Sequence, residues 1–202
     1  YRVYETILKQ IQRENEWETL ETLDDLGYEQ LRAPIQALNI VYGDITEDTN
    51  ENPNYESYIG RSGLLRVMER SNKNMYKYRP DAPRIFHRDN LHRYSQKMAT
   101  ILDLIKDSTG IIMIYSEFID SGIVPMALAL EEAGYTRFLG SRQQNTSLLA
   151  PMKEQPMRQQ GRYAMITGSK EYSPHNKDEL GVLTSYDNRY GEKIQVVLIS
   201  RA

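Results

Sequence analysis

The chain has 202 residues, a formal net charge of −3, 40% hydrophobic and 26% charged residues, enough for one globular domain with an appendage or two small domains. Cysteine is absent, which excludes disulfides and thiolate metal sites, and no apolar run approaches the roughly 18 residues that span a bilayer. The small net charge hides an asymmetry: residues 1–60 hold 13 Asp/Glu against 4 Lys/Arg, and residues 61–100 hold 10 Lys/Arg against 3 Asp/Glu. A basic stretch of that density suits phosphates or, equally, a solvated face beside an acidic neighbour.

Val3, Ile7 and Ile11 recur at helical spacing beside Tyr4 and Leu8, so an amphipathic helix opens the chain, and Trp17, Leu20 and Leu23 continue or restart it. A second helical segment carries Leu31, Ile35 and Leu38, with Pro34 expected to disturb it. Residues 44–57 (DITEDTNENPNYES) are polar and acidic and read as an exposed loop. From Ser62 a third helix is expected to carry Leu64, Leu65, Met68 and Met75, ringed by Arg66, Arg70, Lys73 and Lys77. Pro80 and Pro83 then impose an extended connector.

Beyond residue 90 the texture changes to alternating helices and strands. Residues 94–106 form a helix with Met98, Ile101, Leu102 and Ile105 on one side, and residues 111–115 (IIMIY) form a short buried strand. Residues 124–133 read as an amphipathic helix ended by Gly134, and residues 135–139 as a short strand. Residues 140–161 contain two Pro and five Gln with little periodicity, and read as a mobile insertion. A strand over 162–166 leads into the turn Thr167-Gly168-Ser169, and Ser173-Pro174 signals the start of a helix running to residue 186. Residues 194–202 (IQVVLISRA) form a strand buried on both faces, as in a parallel sheet. This order argues for right-handed βαβ crossovers. The opening Tyr1 and a stop at a strand tip lead to the expectation of an internal piece of a larger protein.

His87, His92 and His175 are too scattered for a metal motif, and the first two are expected on solvated surface. No phosphate loop, dinucleotide fingerprint or G-x-S-x-G elbow occurs. Glu131-Glu132 and Asp24-Asp25 are adjacent pairs that diverge on a helix, so they read as solvated faces rather than as an acid and its base. No complete catalytic constellation is present.

Three strand-tip segments stand in order: IYSEF (114–118), YAMITGS (163–169) and VLISRA (197–202). Together they resemble the second RecA-like domain of superfamily 2 helicases, with IYSEF similar to motif IV and VLISRA to the front of motif V. The wording IYSEFIDSGIVPMALALEEAGYTRF is similar to a narrower group, the poxvirus-like helicases of large nucleocytoplasmic DNA viruses, relatives of the viral early transcription factor small subunit and nucleoside triphosphatase I. The resemblance covers residues 91–202 and is faint over 1–90. It implies an α/β fold: a partial RecA-like parallel sheet of the P-loop NTPase type over 91–202, truncated within motif V, preceded by a helical insertion or interlobe segment over 1–90.

The function implied is a piece of an NTP-dependent helicase or translocase, viral and transcription-related. ATP and Mg²⁺ would be bound by the parent protein and not by this piece, which lacks the phosphate-gripping Lys, the metal-binding acid, the water-activating Glu and the arginine finger on which phosphoryl transfer depends. Its partners would be the backbone of DNA or RNA, the first RecA-like domain and a viral RNA polymerase, with no membrane, in the virion or host cytoplasm. Carried over by position, Ser116, Thr167, Gly168 and Ser200 face the nucleic-acid backbone and Lys170 neighbours a phosphate. Arg201 reaches a phosphate or the interdomain nucleotide cleft. The plainer alternatives are that Ser116 and Ser173 cap helices and that Thr167-Gly168 is only a turn. At the level of the whole protein, the alternatives are a non-catalytic nucleic-acid-binding or scaffold protein with a RecA-like fold, and a small-molecule α/β enzyme.

Overall fold

The computed structural model describes residues 2–14, 27–43, 54–71, 74–138, 147–152 and 160–201. Its centre is a four-stranded, wholly parallel sheet of β3 (Ile112–Tyr115), β6 (Val196–Ile199), β5 (Arg162–Ile166) and β4 (Thr136–Arg137), in that spatial order. The parallel α/β expectation therefore holds, and the last strand is inserted between the first and the third. Rows across the sheet run Ile112–Val196–Tyr163, Met113–Val197–Ala164, Ile114–Leu198–Met165 and Tyr115–Ile199–Ile166. Alternate rows face opposite sides. The first and third rows join the main core, while Ala164 and Val197 are buried on the other face.

That sheet order fixes where the helices lie. The chain leaves β3 in one direction, through α6 (Val124–Glu132), to reach β4 at the far edge. It returns from β5 to β6 in the opposite direction through α7 (Asn176–Leu183). Right-handed crossovers of opposite direction place α6 and α7 on opposite faces. Every residue of α6 is buried, so it is not the amphipathic helix expected over 124–133: the sheet covers one side and the N-terminal segments the other. Gly134, at φ +92, reverses the chain after it by adopting the left-handed conformation that glycine tolerates.

The N-terminal part contributes α1 (Arg2–Glu14), α2 (Tyr28–Asn39), α3 (Gly60–Val67), a hairpin of β1 (Met68–Arg70) and β2 (Tyr76–Tyr78), and helices α4 (Arg88–Tyr94) and α5 (Gln96–Asp107). Ile7 of α1 packs with Ile59, Ala33 and Ala37 in a small separate cluster. Ile40, Tyr42, Leu64, Met68, Tyr76 and Phe86 instead share one continuous core with α6 and the sheet.

Pro34 lies inside α2, is buried there, and does not end the helix, which runs on to Asn39. Met68 and Met75 are not helical: the chain leaves α3 at Met68 with φ −123 and ψ 146 and pairs Met68 with Tyr78. The reversal is made by Asn74 at φ +58, a conformation Asn accepts more readily than most residues. The helix expected over 94–106 is α5 itself, and its start is set by the Ser95 hydroxyl, which caps it through Met98 N (3.0 Å) while donating to Asn39 O (2.6 Å). β3 is an edge strand, with Met113 69% and Tyr115 62% exposed, and not the short buried strand expected over 111–115.

Glu131 and Glu132 overturn the solvated-face reading, since both are buried. Glu131 Oε1 accepts Leu148 N (2.9 Å) and Tyr163 OH (2.6 Å), while Oε2 accepts Leu149 N (2.6 Å) and the Ser147 hydroxyl. Glu132 binds Arg84 Nη2 (2.6 Å) and Tyr78 OH (2.7 Å), tying the N-terminal part to α6. The clamp by Glu131 fixes residues 147–150 against β2, where Tyr76 N donates to Leu148 O (2.6 Å) and Ala150 N to Tyr76 O (2.8 Å). Leu148 and Leu149 are buried, so the expected mobility of 140–161 does not extend to 147–152; residues 139–146 and 153–159 lie outside the described residues. The reading that Trp17, Leu20 and Leu23 continue the first helix also falls outside them, as does most of the 44–57 loop.

Candidate nucleic-acid interface

Parallel strands end at one edge, and in open α/β sheets ligands bind beyond those carboxyl ends. Here Ser116, Ser200 and Thr167 follow β3, β6 and β5, three strands that are direct neighbours. Ser116 N donates to Ile199 O (3.0 Å) and Ser200 N to Ile166 O (3.1 Å), so the three residues form one row. Gly168, Lys170 and Arg201 are exposed around it. All six residues singled out by sequence therefore stand at this edge.

Their side chains are not equivalent. Thr167 is 3% exposed, and its hydroxyl lies 3.0 Å from Ser173 Oγ and 3.2 Å from Ser169 N. Ser173 Oγ donates to Met165 O (2.6 Å) and accepts from Thr167 N (3.0 Å), so this hydroxyl braces the turn and does not cap α7, which starts at Asn176 rather than at Pro174. The Ser116 hydroxyl bonds the Phe118 backbone (3.3 Å) and packs so tightly on Gly122 that a Cβ there would overlap it. Ser200 is buried as well. These hydroxyls shape the tips, and the outward groups are Gly168, the Lys170 ammonium and the Arg201 guanidinium, the last 3.7 Å from Glu117.

The N-terminal part is docked onto the same edge. Tyr42 OH donates to Asp120 O (2.6 Å), and Gly60 N donates to Ser121 Oγ (2.9 Å), which itself donates to Gln36 Oε1 (2.9 Å). Arg70 of the hairpin reaches the loop after β5: it pairs with Glu171, and its guanidinium lies 5.4 Å from the Tyr172 ring centroid and 5.7 Å from that of Tyr76. Tyr76 OH and Tyr172 OH are 2.9 Å apart. Burial raises the pKa of Asp120, against the opposing charges of Arg61 and Arg70. Sequence reading assigned Arg70 to a helix surface, and nothing in local periodicity signals that it holds a loop 101 residues away.

Arg70→Ala is accordingly expected to cost about 1–2 kcal/mol, within the usual range for a lost ion pair and stacked contact. Backbone hydrogen exchange should quicken over 167–173 and stay unchanged at 196–199. Equal acceleration in both segments would mean that Arg70 supports the whole fold rather than this loop.

Beneath Thr167 lies a second buried group. Asn176 Nδ2 donates to Thr167 O (3.0 Å), while Asn176 Oδ1 and both carboxylate oxygens of Glu179, one turn later, are buried without a partner. Burial raises Glu179 to about 7, opposed by Arg137 and assisted by Asp178. Among the described residues no group of three or more His, Asp or Glu is placed to hold a metal, and no helix is long and apolar enough to cross a membrane. His92 is exposed and His87 partly so. No family model, curated protein or solved structure matches this chain.

Proposed function

We propose that this chain is the front part of the second RecA-like lobe of an NTP-driven nucleic-acid translocase or helicase, of the superfamily 2 type and related to the poxvirus-like viral helicases. Its carboxyl-end edge would contact the phosphate backbone. The observation that carries this reading is the row Ser116–Ser200–Thr167 on three adjacent parallel strands, flanked by outward Gly168, Lys170 and Arg201. The N–H groups of Ser116, Ser200 and Thr167 are engaged within the fold, so the tips would present the Lys170 and Arg201 cations and the exposed backbone at Gly168, and such contacts position a strand without reading its sequence. ATP and Mg²⁺ would be held mainly by a first lobe, and viral transcription machinery would be the natural partner. The N-terminal part, anchored to the loops after β3 and β5, would hold two of the three tips in register as the lobes close.

The test is binding of fluorescent (dT)20 by the whole chain between 50 and 200 mM salt, for wild type and the double variant Lys170→Ala/Arg201→Ala. Two lost phosphate contacts should weaken binding on all sequences alike and lower the salt slope by about 1.4, at roughly 0.7 per contact for single strands. An unchanged slope and affinity in a normally folded variant would remove this edge from the interface. A non-catalytic binding protein with the same fold would give the same slopes and differ only in lacking nucleic-acid-stimulated ATPase activity in the parent protein.

A further inference from the structure

The turn joining α7 to β6 lies at the amino edge of the sheet, opposite the strand tips, and its frame is rigid. Asn188 is fully buried, with Nδ2 donating to Ile194 O (3.1 Å) and Leu183 O (3.3 Å) and Oδ1 accepting from Lys193 N and Ile194 N (both 2.8 Å). Gly191, at φ +79, approaches Gly110 so closely that a Cβ would stand 2.8 Å from its carbonyl oxygen. On this frame Tyr186 is 76% and Tyr190 65% exposed. The Arg189 guanidinium lies 4.1 Å from the Tyr186 ring centroid and 4.6 Å from that of Tyr190. Ile111, next to Gly110, is 40% exposed and extends the apolar rim.

The charges around this stack are unevenly used. Asp187 pairs with Lys193 (3.4 Å), and Glu192 accepts from Tyr190 N (3.1 Å). The Arg189 side chain makes one hydrogen bond, from Nη1 to Tyr186 O (3.3 Å), and has no carboxylate partner among the described residues. A guanidinium already held by two rings has less freedom to lose on binding, and its unused N–H groups match a carboxylate fork. Tyr and Arg are also the side chains that dominate protein–protein hot spots.

We infer that Tyr186, Arg189 and Tyr190 form a docking clamp for an acidic peptide segment of a partner protein, with a carboxylate on Arg189 and aliphatic flanks on the two rings. A peptide is favoured over nucleic acid because Asp187 and Glu192 leave the patch close to neutral. One guanidinium suffices for one carboxylate, whereas polyanion binding draws on several cations. The clamp stands on the edge opposite the proposed nucleic-acid interface and does not depend on it.

An array of acetylated hexapeptides alternating Glu or Asp with Leu, Val or Phe, with Lys-for-acid counterparts, tests this against the whole labelled chain. The acidic peptides should be retained and the Lys counterparts not. Arg189→Ala should weaken retention at least tenfold, and Arg189→Lys several-fold, because a point charge neither stacks nor forks. Binding of (dT)12, measured in parallel, should not change in either variant, whose folding is checked by the thermal midpoint. No retention by wild type, equal retention by Arg189→Ala, or a loss of (dT)12 binding without loss of peptide binding would each overturn the inference.

Discussion

Glu131→Gln is expected to destabilise the fold almost as severely as Glu131→Ala, by about 4 kcal/mol in urea denaturation at pH 7. Each carboxylate oxygen accepts two hydrogen bonds: Leu148 N and Tyr163 OH at Oε1, and Leu149 N and Ser147 OH at Oε2. An amide can replace one oxygen, but its NH₂ then opposes a buried backbone N–H, of Leu148 or Leu149, that has nothing left to donate to, even if the neighbouring Tyr163 or Ser147 hydroxyl turns to accept. Removing the side chain altogether strands buried N–H groups that cost roughly 1–3 kcal/mol each. Burial raises the pKa of Glu131 while these four donors favour its charged form. A Gln variant as stable as wild type would mean that the carboxyl is protonated and that the donor count is wrong.

Glu179→Gln is expected to have the opposite sign and to depend on pH. The Glu179 carboxyl, raised from 4.5 to about 7, holds a proton in the folded state that the unfolded chain releases earlier. The folded state therefore binds more protons between about 4.5 and 7, and stability falls as pH rises through that window and then levels off. Gln, which never ionises, removes the loss: the variant should match wild type near pH 4.5 and exceed it by on the order of 2 kcal/mol at pH 8. Thermal midpoints at the two pH values measure this. A variant less stable than wild type at pH 8 would show that ionised Glu179 is held favourably, with Arg137 outweighing its burial.

The legible part of the sequence was that governed by local pattern. An apolar run at 163–166 and an aliphatic one at 196–199 mark β5 and β6, because central parallel strands need apolar residues on both faces. The three tips were legible for the same reason, since once strands are parallel their ends must share an edge. What was not legible depended on partners distant in sequence. The acidic pair at 131–132 looks like surface on any helical wheel, and its burial is explained by partners distant in sequence, in segments 78–84 and 147–149 and at Tyr163. Met68 and Met75 fit helical spacing, yet pairing of Met68 with Tyr78 overrode it. The resemblance assigns Thr167 and Ser116 to the nucleic-acid backbone, yet the turns consume their hydroxyls, through Ser173, Ser169 and Phe118, in keeping with the plainer reading of Thr167-Gly168 as a turn.

Whether nucleic acid lies along the carboxyl-end edge is tested most directly by hydrogen exchange of the whole chain with and without saturating (dT)20. Protection is expected at 116–118, 167–171 and 200–201 together, with no change at Tyr186–Asn188 on the opposite edge. Protection confined to other segments, or spread evenly over both edges, would contradict the account.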